Sequence, residues 1–130
     1  MSNVAKEVEV VDGNAASIQS YEQSARVKTG SDVSYSSACV ATTSTLQVFY
    51  RDETQGILLG ASKTVTGWVY EIVDGDAKTS GRTTGDVAYH LSAAALGKTI
   101  YLLYDSVLNF NSSRSPIAGE VRLATRSSLY

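Results

Sequence analysis

The residues LGKTIYLLYDSVLNFN, numbers 96–111, change the hydrophobic period of the chain. Before them, apolar and polar residues alternate between glycine-containing turns, which is typical of antiparallel β-strands. Within them, apolar side chains recur three and four positions apart: Ile100, Leu103, Tyr104, Val107 and Leu108. This spacing is that of an amphipathic helix, and it predicts one that begins near Lys98 and ends near Asn111.

A second, shorter helix is predicted after it. Ser115 and Pro116 form a typical helix start, with a hydroxyl at the N-cap and proline at the first helical position. Ile117, Val121 and Ala124 then form an apolar stripe. The two helices together occupy residues 98–130.

The rest of the chain predicts strands and turns. Residues 1–30 contain two alternating runs around Asp12-Gly13-Asn14 and are expected to form an N-terminal hairpin. Residues 33–93 are expected to form the main antiparallel sheet, with strands at 33–43, 46–51, 57–65, 68–73 and 87–93. A glycine-rich stretch at 74–85 is expected to be a long exposed loop. Strands followed by helices in a single domain of 130 residues predict an α+β fold.

The composition excludes several classes of function. There is one histidine and one cysteine, so neither a metal site nor an intrachain disulfide is expected. No nucleophile elbow or phosphate-binding loop is present, and no cofactor is expected. The formal net charge of −2 disfavours nucleic-acid binding by bulk charge alone. The first ten residues lack the apolar region of a signal peptide, and no run is long enough to span a membrane. An enzyme is therefore the least favoured class.

The short link near Leu96-Gly97 leaves the first helix little chain with which to fold back over its own sheet. We therefore expect the helices to lie across a partner's sheet in an interlocked, symmetric homodimer. The interface residues would be those of the helical stripe: Ile100, Leu103, Tyr104, Val107 and Leu108.

The element order resembles that of the coat proteins of single-stranded RNA bacteriophages, the levivirus type. The resemblance depends on four stretches: MSNVAKEVEVVDGN, VSYSSACVATT, DGDAKTSGRTTG and SRSPIAGEVRLATRSSLY. It implies a structural protein whose dimers assemble into an icosahedral shell around genomic RNA, with possible repression of translation through an RNA hairpin. It also implies location in the virion after synthesis in the bacterial cytoplasm, with neither membrane nor small-molecule substrate as a partner.

The resemblance further implies two sets of functional residues. The RNA-facing set, on the polar face of the sheet, comprises Ser36, Thr42, Thr45, Gln47, Arg51, Lys63, Tyr89 and His90. Stacking of Phe49 or Tyr89 on an unpaired base is one interpretation, and core packing is the favoured one for both side chains. The contacts between dimers would come from the loop before the last strand: Asp74, Gly75, Asp76, Lys78, Gly81 and Arg82.

A small carbohydrate-binding β-protein is the alternative. LQVFYRDETQG followed by GWVYEI resembles the blades of fungal fucose lectins, and TIYLLYDS about 54 residues later resembles a second blade. This interpretation requires a strand at 100–110. The lectins bind sugar through an Arg in the first strand, a Glu in the next and a Trp. Here Gln47 and Tyr101 stand at the Arg position, and no matching Glu follows Ile57.

Overall fold

The computed structural model describes residues 7–13, 30–42, 45–77 and 86–127. The described residues form seven strands in two antiparallel sheets, and each sheet follows the order of the sequence. The first sheet consists of β1 (Ser37–Ala41), β2 (Leu46–Asp52), β3 (Ile57–Thr64) and β4 (Gly67–Asp74). The second sheet consists of β5 (Asp86–Leu96), β6 (Thr99–Phe110) and β7 (Pro116–Ser127).

The predicted α+β class is wrong, because the described residues contain no helix. The first predicted helix is β6, and the second is β7, in which Pro116 is the first residue of the strand. A proline is tolerated there because the first residue need not donate to the ladder. The described residues therefore contain no helix that is long and apolar enough to cross a membrane.

The burial of β6 explains the failure of the helical interpretation. Ile100, Leu102 and Tyr104 are buried and alternate with side chains that are more exposed, as in a strand with one covered face. The predicted stripe combined residues from both faces: Ile100 and Tyr104 are buried, whereas Leu103 and Leu108 are 49% and 57% exposed. Spacings of three and four arise in a strand when apolar residues occur on both faces, so periodicity alone was ambiguous.

The predicted exchange of helices between partners is wrong for the same reason, whereas the homodimer itself stays a prediction. The exchange required helices that have no room on their own subunit, but β6 pairs with β5 on one side and with β7 on the other. The hairpin between β5 and β6 turns tightly, with Gly97 at a φ of 62°. The short link near Leu96-Gly97 therefore joins β5 and β6 as a hairpin.

The two sheets pack face to face. Phe49 and Leu58 from the first sheet meet Ile100, Leu102 and Tyr104 from the second in one buried cluster. The predicted main sheet, 33–93, is thus divided: its first four strands lie in one sheet, and its last, β5, begins the other. Burial of a large apolar side chain contributes about 1.5–3 kcal/mol, so this cluster fixes how the sheets stack.

A polar contact reinforces this packing. The Tyr104 hydroxyl donates to Oδ2 of Asp74 at 2.7 Å, and Arg122 Nη1 donates to the same oxygen at 3.0 Å. Burial and the contact with the Asp74 carboxylate raise the pKa of Tyr104. Asp74, expected in an exposed loop, is 3% exposed at the end of β4. Gly75 and Asp76 follow it, whereas Lys78, Gly81 and Arg82 lie outside the described residues.

The opposite face of the first sheet has its own apolar cluster. Tyr50, Ile57, Leu59 and Ala61 are buried there, with Val11, Val33, Val48, Trp68, Tyr70 and Ile72 packed around them. Val11 belongs to segment 7–13, which forms no strand and is the only described part of the predicted hairpin at 1–30 apart from Gly30. The first sheet is therefore packed on both faces.

Leu102→Ala and Leu108→Ala distinguish the strand from the predicted helix. Leu102 is 1% exposed, so its truncation is expected to lower the free energy of unfolding by about 2–4 kcal/mol. Leu108 is on the solvent side, and its truncation should cost about 0.5 kcal/mol or less. Urea unfolding monitored by circular dichroism measures both. A larger loss for Leu108 would contradict the register of β6.

Candidate functional site

A β-bulge in β5 places side chains at one end of the junction between the sheets. Val87 lies opposite Ser106, and Leu91 lies opposite Tyr104, so three residues of β5 face Asp105 alone. The first of the three, Ala88, has a φ of 66°, which is unfavourable for a residue with a Cβ. Bulges redirect side chains, and this one directs Tyr89 and His90 away from the regular ladder.

Arg51 is the centre of the polar contacts at this end. Its side chain is 1% exposed, and its guanidinium donates to Oε2 of Glu53 at 2.7 Å and to Oδ1 of Asp86 at 2.6 Å. It also donates to the carbonyl of Val87 at 2.5 Å. The guanidinium carbon lies 3.9 Å from the centre of the Tyr89 ring, in a cation–π contact. The arginine therefore ties the end of β2 to the start of β5.

Tyr89 is fixed by contacts on its hydroxyl, its face and its edge. Its hydroxyl donates to Oδ2 of Asp86 at 2.7 Å, while Arg51 lies over its face. The ring of Tyr35 packs against it nearly perpendicularly, with centroids 5.7 Å apart. Burial and then the contact with Asp86 raise the pKa of Tyr89 to about 12. The phenol is consequently protonated at neutral pH.

The charge of Arg51 is maintained by its carboxylate partners. Burial alone would lower the pKa of Arg51, but the hydrogen bonds to Glu53 and Asp86 outweigh it and the pKa is raised. Glu53 and Asp86 have side chains that are 34% and 30% exposed, respectively. Glu53 Oε1, which Arg51 does not use, can thus accept hydrogen bonds from a ligand, and Asp86 Oδ2, which already accepts from Tyr89, has a second lone pair for the same purpose.

His90 and Asp105 form a second polar pair at the bulge. The backbone N–H of His90 donates to Oδ1 of Asp105 at 2.9 Å, and Nδ1 lies 2.9 Å from Oδ2. Burial opposes ionisation of Asp105, but the contacts with His90 prevail and lower the pKa of Asp105. The imidazole itself is 90% exposed. His90 therefore presents its remaining ring nitrogen to solvent.

These groups line two neighbouring hollows, together called the cleft. The larger part encloses about 820 Å³, and the smaller, more polar part encloses about 390 Å³. Tyr89 and Arg114 belong to the walls of both. Ligand sites in proteins have volumes of about 300–1,000 Å³, so the cleft is large enough for a small ligand. The larger part is lined by Tyr35, His90, Phe110 and residues 116–121 among others, and the smaller by Arg51, Glu53, Gln55 and Asp86 among others.

The lining carries more negative than positive charge. Two arginines, Arg51 and Arg114, face four carboxylates. The carboxylates are those of Glu53, Asp86, Asp105 and Glu120. Phosphate would have to displace them to reach Arg51, so the cleft disfavours a polyanion. No cluster of three or more metal-ligating side chains occurs within the described ranges.

Three of the residues predicted to face RNA meet at this cleft, namely Arg51, Tyr89 and His90. Ser36 is close to it: its hydroxyl donates to the carbonyl of Ala88 at 2.8 Å and so supports the bulge. The sequence placed these residues on one flat sheet face, whereas the structure places them at a junction of two sheets.

The other predicted RNA-facing residues lie elsewhere in the first sheet. Thr42 and Thr45 close the turn between β1 and β2, where the Thr42 N–H donates to the Thr45 carbonyl at 2.8 Å. Lys63 is paired with Glu9 and lies 5.5 Å from the Trp68 ring. Phe49, considered for base stacking, is 1% exposed and belongs to the core. These residues form no common surface with the cleft.

Gln47 is the predicted RNA-facing residue least able to contact a ligand. It is 1% exposed, and neither polar atom of its amide has a hydrogen-bond partner in the described structure. A buried unpaired amide is costly, and it cannot contact a ligand in the cleft. The position at which the fucose lectins carry Arg is thus closed in this chain.

The site residues predicted from the sequence do not include Asp86, Tyr35 or Glu53. A signal was present, because Asp32-Val33-Ser34-Tyr35 recurs 54 positions later as Asp86-Val87-Ala88-Tyr89. This repeat places an aspartate and a tyrosine at the start of each sheet. The repeat therefore indicates that the region at the start of β5 has a structural role and is more than a polar loop.

Comparisons with protein-family models, with curated proteins and with solved structures give no significant match.

Tyr89→Phe and Tyr35→Phe test the contacts of the tyrosine pair. Loss of the Tyr89 hydroxyl leaves an Asp86 oxygen without its donor, and we expect a loss of about 1 kcal/mol in the free energy of unfolding. Tyr35 is 58% exposed and contacts Tyr89 through its ring, which Phe retains, so its change should cost less than about 0.5 kcal/mol. Denaturant unfolding measures both, and equal effects would contradict the hydrogen bond.

Proposed function

We propose that this protein binds carbohydrate non-covalently in the cleft between its two sheets. The observation that carries the proposal is the Arg51 centre: a buried guanidinium holds Tyr89, Asp86 and Glu53 in place at the wall of a cleft of ligand size. Such an arrangement is a preorganised surface of planar polar groups beside an aromatic ring. It loses little side-chain entropy when a ligand binds.

The chemistry of the lining fits a neutral sugar. Sugar hydroxyls donate to carboxylates and accept from guanidinium groups, and Glu53, Asp86 and Arg114 supply both functions. The C–H groups on one face of a pyranose ring pack on an aromatic surface, and Tyr35, Tyr89 and Phe110 offer three rings in the larger part. The net negative lining favours an uncharged or cationic sugar over RNA.

The arrangement of strands supports the blade interpretation. Propeller blades are antiparallel sheets in which neighbouring strands follow in chain order, and both sheets have this order. The strand that this interpretation requires at 100–110 is β6. The fucose-lectin set of Arg, Glu and Trp does not carry over, since Gln47 is buried. The geometry of the cleft therefore supports carbohydrate binding as the class of function. Specificity for fucose is not part of the proposal.

The coat-protein prediction stays a prediction. It depended on two C-terminal helices and on a flat, polar sheet face, and the described residues provide neither. The residues expected to contact RNA are divided between the cleft, the core and a distant turn. Nothing in the geometry favours a shell protein over a lectin.

Binding of monosaccharides tests the proposal directly. Titration calorimetry or ligand-observed NMR against a panel of neutral sugars, with fucose included, should show saturable binding. Arg114→Ala should weaken it about tenfold, as expected for the loss of one or two hydrogen bonds. Lys63→Ala, which removes an exposed cation outside the cleft, is the matched control and should bind like the wild type.

Two outcomes would contradict the proposal. One is the absence of binding to every sugar in the panel at millimolar concentration. The other is binding to single-stranded RNA that weakens steeply with salt, because this behaviour reports several phosphate contacts. If a sugar binds but Arg114→Ala has the affinity of the wild type, the cleft is the wrong site.

A further inference from the structure

Segment 7–13 contacts the first sheet as β4 contacts the second. The Tyr50 hydroxyl donates to Oδ2 of Asp12 at 2.6 Å, and the Tyr104 hydroxyl donates to Oδ2 of Asp74 at 2.7 Å. Tyr104 is the counterpart of Tyr50, 54 positions later in the repeated strand. In both places, the aspartate also accepts a hydrogen bond at 2.7 Å from the N–H of the glycine that follows it.

An ion pair repeats in the same way. Lys63 pairs with Glu9 across the first junction, and Arg126 pairs with Glu71 across the second. Glu9 and Glu71 each lie three residues before the aspartate, in the related sequences VEVVDG and YEIVDG. Segment 7–13 is therefore placed against the first sheet as the last strand of a preceding sheet would be.

Among the described residues, the second sheet has no strand at the corresponding position. The first sheet has four strands and ends on β4, whereas the second has three and ends on β7, which pairs only with β6 among the described elements. Segment 7–13 has the sequence of a fourth strand but no ladder partner within the described ranges. An unpaired strand edge is a template for addition of another strand.

The outer face of the second sheet is apolar and exposed. Leu103 and Leu123 lie opposite each other and are 49% and 61% exposed. Their counterparts in the first sheet, Phe49 and Gly60, also lie opposite each other and are buried by the second sheet. Val121, the counterpart of Leu58, is 73% exposed. This face therefore corresponds to one that is covered within the same chain.

A hollow on the first sheet matches the exposed face. It has a volume of about 190 Å³ and is lined by Val10, Val11, Val33, Val48 and Tyr50 among others. The counterparts of Val33, Val48 and Tyr50 are Val87, Leu102 and Tyr104, which enclose the core between the sheets. The hollow is thus the position at which the apolar face of another second sheet would pack.

We propose that a second copy of this chain docks head to tail on the first. Leu103 and Leu123 of one copy pack into the hollow of the next, and β7 of the first copy pairs with segment 7–13 of the second. Within the chain, Gly60 pairs with Glu71, so the equivalent register places Leu123 opposite Glu9. The contact joins two different surfaces, and such heterologous interfaces propagate until they close into a ring. Backbone hydrogen bonds along β7 would provide part of the affinity.

The mass in solution is the first test. Sedimentation velocity of the full chain at tens of micromolar should show a discrete oligomer, and Leu123→Asp should convert it to monomers. Val65→Asp places the same charge on an exposed apolar residue at the tip of the β3–β4 turn and should leave the oligomer intact. A monomeric wild-type chain, or an equal loss in both variants, would overturn the proposal.

Disulfide cross-linking tests the register without relying on a variant with a buried charge. In a Cys39→Ser background, a Glu9→Cys chain is mixed with a Leu123→Cys chain and oxidised. We expect a cross-linked product that contains one chain of each kind. A mixture of Glu9→Cys and Leu108→Cys chains is the control and should give at least tenfold less. Equal yields would overturn the register, and no product with Leu123→Cys would overturn the docking. Val121 of the docking face also lines the larger part of the cleft, but the cross-linked residue Leu123 does not, so a failed cross-link leaves the sugar titration unaffected.

Discussion

The burial of Phe49 and Leu58 against the second sheet determines how the two sheets stack. These side chains are 1% and 0% exposed, and they define the distance and angle at which the sheets stack. Interiors pack at the density of organic crystals, so this contact transmits its geometry to the rim of the junction. The cleft lies at that rim. Its lining residues come from both sheets and would not converge without the core beneath them.

Arg51 shows how the rim differs from the core. A charge that is 1% exposed is costly unless it is paired, and Arg51 is paired with two carboxylates and a backbone carbonyl. Because Glu53 and Asp86 remain partly exposed, solvent screens the pairs and limits their contribution to stability. The better explanation of the arginine is orientation: it holds the ring of Tyr89 and the carboxylates of both sheets in one arrangement.

The sequence predicted most of the first sheet and missed the end of the chain. Strands expected at 46–51, 57–65 and 68–73 were found at Leu46–Asp52, Ile57–Thr64 and Gly67–Asp74, because alternation and glycine turns are local signals. The helices failed because β6 carries apolar residues on both faces. One face packs in the core, and the other remains exposed in the single chain.

The candidate site was harder to predict than the strands. Arg51, Tyr89 and His90 were selected as polar or aromatic strand residues, but the reason they meet is the bulge at Ala88, for which alanine gives no signal. Asp86 and Glu53 stand outside the predicted strands, and their partner Arg51 is not identifiable from local sequence patterns. Contacts between sheets depend on stacking, and stacking is not encoded in the period of any one strand.

The two sheets repeat closely in their core residues but differ in their charged residues. This difference determines how many carbohydrate sites an assembly would contain. Tyr50 and Tyr104 make the same contact, but the counterpart of Arg51, 54 positions later, is Asp105. The guanidinium that organises the cleft is thus specific to the junction within one chain. In a head-to-tail ring, the junction between copies would present Asp105, already bound to His90, where the internal junction presents Arg51, so this pair in the wall of the larger part of the cleft would also face the next copy. Internal and intermolecular junctions would then alternate, with one organised carbohydrate site for each chain.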